Sequence, residues 1–181
     1  MTGGRSADER AETVLRGLRR TRQIRQFTDE PIDEDALQSI LEVARWTGSS
    51  MNGQPWTFIV VRDAETRRRI GELARYARYV ANAPLAIAIA MPGTDPEAEA
   101  YDEGRVAERV LIAASALDPG AGIGWADGPE QQATVSALLG VAPPAFVRTI
   151  VSVGHPTESA LQKRSGTGTG RRRLAEFVRE R

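Results

Sequence analysis

Seven consecutive apolar residues, Leu85-Ala86-Ile87-Ala88-Ile89-Ala90-Met91, stand between Asn82-Ala83-Pro84 and a turn over 92–96. A strand points successive side chains to opposite faces, so a segment apolar at both parities has to be covered on both sides. Such a strand needs neighbours in its own plane and helices above and below it. The neighbours are legible as two β-branched or aromatic runs, Trp56-Thr57-Phe58-Ile59-Val60-Val61 and the segment 146–153, and as a short strand started by Asp118-Pro119-Gly120-Ala121-Gly122-Ile123-Gly124-Trp125.

The helices are legible from their spacing. Ala11, Val14, Leu15 and Leu18 predict an amphipathic helix over 7–20. Asp33 fits an N-cap for a second helix, with Leu37, Ile40, Leu41 and Ala44 inward and Gly48 suited to the position just past its end. A third helix is expected over 64–79, carrying Ile70, Leu73, Ala74 and Ala77 inward, and another over 130–139. The segment 101–117 is apolar around most of its circumference and predicts burial at a domain centre or a subunit interface. With 181 residues, 41% of them hydrophobic, one three-layer sheet-and-helix domain accounts for the whole pattern.

Composition narrows the function classes. Lys+Arg and Asp+Glu balance at 24 each, so no global charge points to nucleic acid or an anionic membrane. The absence of cysteine removes disulfides, thiolate metal sites and a cysteine nucleophile. The start MTGGRSADER lacks an apolar signal segment, and no run approaches the roughly 18 apolar residues of a membrane span. The expectation is a soluble cytoplasmic protein. His155, the single histidine, sits in a Gly-His-Pro turn with no triad or metal-ligand spacing around it, so it reads as a turn residue.

Three places offer binding chemistry. Arg22 and Arg25 stand where the first helix gives way to a loop, either as guanidinium forks for a phosphate or as a solvated basic helix end. Gly48-Ser49-Ser50-Met51-Asn52-Gly53-Gln54 places hydroxyls, amides and glycines between a helix and a strand, either as a ligand loop or as an ordinary polar connection. Gly120-x-Gly122-x-Gly124 follows a helix and precedes a strand, the reverse of a dinucleotide fingerprint, and Gly166-x-Gly168-x-Gly170 has neither a strand before it nor a GK[ST]. The first of these glycine pairs fits a tight turn or a backbone approach to a flat ligand. The basic run Arg67-Arg68-Arg69 reads as a solvated helix face, with capture of a 2′-phosphate as the alternative.

The ordered set Thr21-Arg22-x-x-Arg25-x-Phe27, Ser49-Ser50-x-Asn52-x-Gln54-Pro55-Trp56, Phe58-x-Val60-Val61-x-Asp63, Asp102-x-Gly104-Arg105, Gly122-Ile123-Gly124, Gly154-x-Pro156 and Gly170-Arg171-Arg172-x-Leu174-x-Glu176-x-Val178 resembles the FMN-dependent nitroreductase family. The resemblance implies an α+β nitroreductase-like three-layer sandwich, a central mainly antiparallel sheet flanked by helices, assembled as an intertwined homodimer. It divides the chain into an N-terminal helix (1–20), an FMN-binding core (21–156) and a flexible C-terminal arm (157–181) that completes the site. By the same resemblance, Arg22, Gln23 and Arg25 contact the FMN phosphate, ribityl chain or pyrimidine edge. Ser49, Ser50 and Asn52, in the loop that also carries Gly48 and Gln54, reach the flavin from the other subunit. Gly122, Ile123 and Gly124 lie along the ring, and Arg171 and Arg172 close over the phosphate.

The implied activity passes hydride from NADH or NADPH through the flavin to a small-molecule acceptor of nitroaromatic, quinone or enone type, without a compulsory side-chain acid or base, and the alternative is a flavin or deazaflavin binding protein without turnover. Gln23, Gly48, Arg173 and Asp118-Pro119 depart from the family pattern.

Overall fold

The computed structural model describes residues 6–162 and 171–180. Its elements run α1 (Ala7–Arg20), α2 (Glu34–Arg45), β1 (Thr57–Val61), α3 (Ala64–Leu73), β2 (Leu85–Met91), α4 (Pro96–Ala116), β3 (Gly120–Trp125), α5 (Gly128–Leu138), β4 (Phe146–Gly154) and α6 (Glu158–Gln162). Short 3₁₀ turns occupy Ser50–Asn52, Arg78–Asn82 and Leu174–Glu176. The four strands form one sheet in the order β1-β2-β4-β3, and every neighbouring pair is antiparallel. This is the α+β three-layer architecture expected from the chain, with β2 enclosed by strands and all of its residues buried.

The alternation inside β2 sets the thickness of the two layers. Leu85, Ile87, Ile89 and Met91 face the side packed by Leu37, Ile40 and Ala44 of α2 and by Val106, Val110 and Ala114 of α4. Ala86, Ala88 and Ala90 face the other side, where Ile70 of α3, Val80 and Val135 of α5 close in. Large side chains on one parity and alanines on the other give one deep layer and one close layer. β4 follows the same division with a break. Ile89 pairs with Thr149 and Ala90 with Val147, so Arg148 is an extra residue in a bulge. The bulge turns Arg148 onto α4, where it pairs with the buried Glu103.

Several boundaries differ from the periodicity. The third helix stops at Leu73 rather than near 79, where Ala74 turns extended, and the returning chain packs on Gly71 so closely that a Cβ there would lie 2.9 Å from the Arg78 carbonyl. The chain folds back and continues as the 3₁₀ turn Arg78–Asn82. Helix α4 starts earlier than expected, at Pro96, with Asp95 as its cap. Helix α2 ends with Trp46 as C-cap, so Gly48 is not its terminating residue. A Cβ on Gly48 would sit 2.9 Å from Nη2 at the end of the flexible Arg105 side chain. The Gly-Thr segment before Arg171 lies outside the described residues. Among the described residues no helix is long and apolar enough to cross a membrane.

Glu99 locks the start of α4. Its carboxylate accepts backbone N–H groups from Gly93 at 2.9 Å, Thr94 at 2.7 Å and Asp95 at 2.9 Å. Burial pushes its pKa up, but the three backbone donors and the Thr94 hydroxyl together hold it below its ordinary 4.5. A carboxylate with a lowered folded-state pKa stabilises the fold above that ordinary value, and the contribution is lost as pH falls through the folded value. Denaturant unfolding from about pH 5 downward should therefore show a steeper stability loss in the native chain than in Glu99→Gln. An identical pH slope in the two would remove Glu99 from this role. Ile87→Ala should lower stability by about 2–4 kcal/mol at neutral pH, read from the same unfolding curves.

Candidate flavin and anion site

The segment after α1 runs alongside the free edge of β3. Ile24 donates its backbone N–H to the Ala121 carbonyl at 2.7 Å, and Phe27 bridges Pro156 at the far end. Ile24 and Phe27 are buried with Ala83 and Ala160 in a small apolar cluster. Gly120 and Gly122 explain how Ile24 fits there: a Cβ on Gly120 would meet Ile24 Cγ1 at 2.6 Å, and one on Gly122 would meet the Ile24 carbonyl oxygen at 2.2 Å. With Ile24 held inward, the extended segment turns Gln23 and Arg25 outward, while Arg22 stays half-buried.

They project into a cavity of about 630 Å³ lined by Arg19, Arg20, Arg22, Arg25 and Arg171, with Gln23, Glu108 and Leu111. Five guanidinium groups against one carboxylate make a strongly anion-favouring concavity. Arg22 also has a structural partner, because its Nη2 donates to the carbonyls of Ala160 at 3.1 Å and Leu161 at 2.9 Å near the end of α6. Arg25 donates from Nη2 to the Gln23 amide oxygen at 3.0 Å and lies 5.4 Å from the centroid of the Tyr79 ring. Burial holds the Tyr79 phenol above its ordinary range, with the neighbouring Arg25 pulling the other way.

The other predicted residues divide into three groups. Ile123 joins the cavity residues through its backbone, donating to the Gln23 amide oxygen at 3.2 Å. The Cα faces of Gly122 and Gly124 are covered by the chain itself, by Ile24 and Tyr79 over Gly122 and by Tyr76 and Ala77 over Gly124. In this chain those glycines admit close backbone and side-chain packing. Of the terminal pair, Arg171 lines the cavity and Arg172 lies over the Phe177 ring at 4.1 Å.

Gly48, Ser49, Ser50, Asn52 and Gln54 contribute nothing to the lining of this cavity. Their loop is tightly self-bonded: the Gln54 N–H donates to Ser49 Oγ at 2.8 Å and the Asn52 N–H to the Ser49 carbonyl at 3.1 Å. It is also strained, since Met51, Asn52 and Gln54 have φ of 47°, 56° and 46°. An asparagine tolerates that region, whereas each of the other two costs about 1–2 kcal/mol. Met51 at its tip is 99% exposed. The loop is thus a self-bonded, outward-facing element outside the arginine cavity.

Sequence reasoning missed Glu108 and Leu111, and for Arg67 it preferred a solvated helix face. Glu108 lies one turn after Arg105 in the motif that opens α4, so its placement on the same helix face was available from the spacing. Arg67 stands three residues before Ile70 on the inward stripe of α3, an arginine where an apolar residue is expected.

The chain's relatives can be set against this geometry. Residues 18–85, which span Arg22 to the start of β2, match the model of the Nitroreductase family. A protein from Archaeoglobus fulgidus with the provisional name NADH dehydrogenase/NAD(P)H nitroreductase is 30% identical over 155 residues, covering 81% of this chain and 87% of that protein. The crystal structure of a provisionally named nitroreductase from Desulfovibrio desulfuricans, solved in complex with FMN, superposes with a TM-score of 0.78 at 28% identity over 93% of this chain and 96% of that one. An FMN-dependent nitroreductase from Clostridium difficile R20291 gives a TM-score of 0.74 at 26% identity, covering 80% and 88% of the two chains. With its arginine-lined cavity beside an antiparallel sheet, this chain belongs to the nitroreductase family.

Proposed function

We propose that the arginine cavity holds the phosphate end of FMN and that the protein is an NAD(P)H-dependent flavin oxidoreductase acting on a small oxidised acceptor. The observation that carries this reading is the convergence of Arg22, Arg25 and Arg171 on one cavity of about 630 Å³. The donor set fits the group: several guanidiniums suit a phosphate dianion, and Gln23 stands beside them with an amide for a ribityl hydroxyl or pyrimidine edge. The name of the Archaeoglobus relative and the FMN complex of the Desulfovibrio structure support the same cofactor and reductant.

Bound FMN would supply the hydride relay between a reduced nicotinamide and the acceptor. The chain's own residues then have three tasks. Arg22, Arg25 and Arg171 bind and orient the phosphate, each charge-assisted bond contributing about 1.5–3 kcal/mol. The bridge from Ile24 to Ala121 keeps Arg22 and Arg25 at fixed positions along the sheet edge. Leu111, on the cavity wall, keeps one side of it apolar.

The proposed functional unit is a homodimer in which the core (21–156) and the arm (157–181) of one copy meet the loop 48–54 of the other. The support is apolar surface left uncovered on one chain. Helix α1 buries none of its residues, and Val14, Leu15 and Leu18 are 61%, 50% and 47% exposed although they form one stripe. Trp46, Met51, Tyr101, Leu174 and Phe177 are exposed as well. A second copy is the occupant that these faces and the self-supported 48–54 loop suit together.

The purified protein should show a flavin spectrum, directly or after FMN addition, and NADH or NADPH under anaerobic conditions should bleach it. Failure to take up FMN would sink the reading, and a bound flavin that neither nicotinamide bleaches would leave a binding protein without turnover. Arg22→Ala combined with Arg25→Ala should weaken FMN binding by about two to four decades, the loss of two charge-assisted contacts. Light scattering should give twice 19.7 kDa for the native protein and the single value for Leu15→Arg with Leu18→Arg. A native monomer that retains FMN would refute the shared site.

A further inference from the structure

Helix α3 separates the three arginines of its basic run. Arg68 pairs with Glu65 and Glu72, and Arg69 pairs with Glu72 at 3.0 Å, so both are solvated and neutralised. Arg67 turns inward and is only 9% exposed. Its Nη1 donates to the Arg62 carbonyl, its Nε is buried without an acceptor, and its Nη2 has no acceptor among the described residues. The carboxylate closest to it in charge, Asp63, is engaged by the N–H and hydroxyl of Thr66, both at 2.7 Å. Burial disfavours the charged form of Arg67, and Asp63 only offsets that in part.

Arg67 lines a second cavity, about 540 Å³, together with Arg25, Gln26, Asp29 and Asn82. Arg25 also lines the cavity assigned to the flavin phosphate, and no other residue is common to the two linings. The second cavity therefore adjoins the first through one guanidinium. A cation nine-tenths buried with an unpartnered Nε is favoured once an oxyanion enters the cavity. Two arginines against Asp29 leave one positive charge, and Asn82, exposed on the wall, adds an amide donor.

We propose that the cavity between Arg25 and Arg67 is an oxyanion subsite that receives the carboxylate or phosphate group of a molecule visiting the flavin. The proposal rests on the flavin reading above and adds a chemical requirement to it. One of the two visitors, the reductant or the acceptor, carries an anionic group that Arg67 recognises. For the reductant that group is the 2′-phosphate of NADPH, and for the acceptor it is a carboxylate.

Calorimetric titration of the purified protein, with and without FMN, tests binding independently of turnover, using 2′-AMP, inorganic phosphate and benzoate as probes. At least one probe should bind, and binding should weaken about tenfold in Arg67→Gln and in Asn82→Asp, the size expected for loss of one charge-assisted hydrogen bond. Asn82 is exposed, so its variant retains the test if Arg67→Gln fails to fold. In steady-state assays a rise in KM for NADPH with NADH unchanged assigns the group to the reductant. A rise for 4-nitrobenzoate with 4-nitrobenzamide unchanged assigns it to the acceptor. The subsite is overturned if none of the three probes binds the native protein, or if binding is the same in folded Arg67→Gln. A protein that binds a probe but never FMN would undo the flavin reading alone.

Discussion

The contact on which the site depends is the seating of Ile24 against the bare backbone of β3. One hydrogen bond to Ala121 and the absence of side chains at Gly120 and Gly122 let a loop segment lie against the sheet edge as an added strand would. Everything that makes the cavity follows from that placement. Gln23 and Arg25 flank Ile24 and face outward, Arg22 reaches the α6 carbonyls, Gln23 is brought to the Ile123 N–H, and Phe27 reaches Pro156 so that α6 starts next to the same segment. The sheet itself is the support, because β3 pairs along its length with β4, and β4 with the fully buried β2.

How much of this was legible in the chain depends on which force decided each element. The apolar run of β2 and the stripe of α2 are set by burial, and burial leaves a trace in the spacing. Boundaries set by close backbone packing leave none. The third helix ends where Ala74 turns extended and the chain returns over Gly71, and nothing in the spacing of Ile70, Leu73, Ala74 and Ala77 announces that return.

The site shows the same division. The arginines at 22, 25 and 171 are assigned to an anion in the sequence by the family resemblance, since charge and spacing alone leave a solvated basic face open. Their convergence on one cavity required the fold. The glycines of β3 were read as candidates to face a ligand, and their Cα faces lie under Ile24 and the segment 76–79. Arg67 carries the opposite lesson. Placed in a run of three like residues it looked solvated, yet its phase on α3 assigns it to the inward stripe with Ile70. Phase along a helix is more informative there than membership of a charged run.

Arg22 has a consequence of another kind. The guanidinium that lines the cavity also donates to the carbonyls of Ala160 and Leu161 in α6. Arg171 lines the same cavity. Segments far apart in the sequence are thereby gathered around one electrostatic point, and Arg22 is a tie of the fold as well as a cation of the pocket.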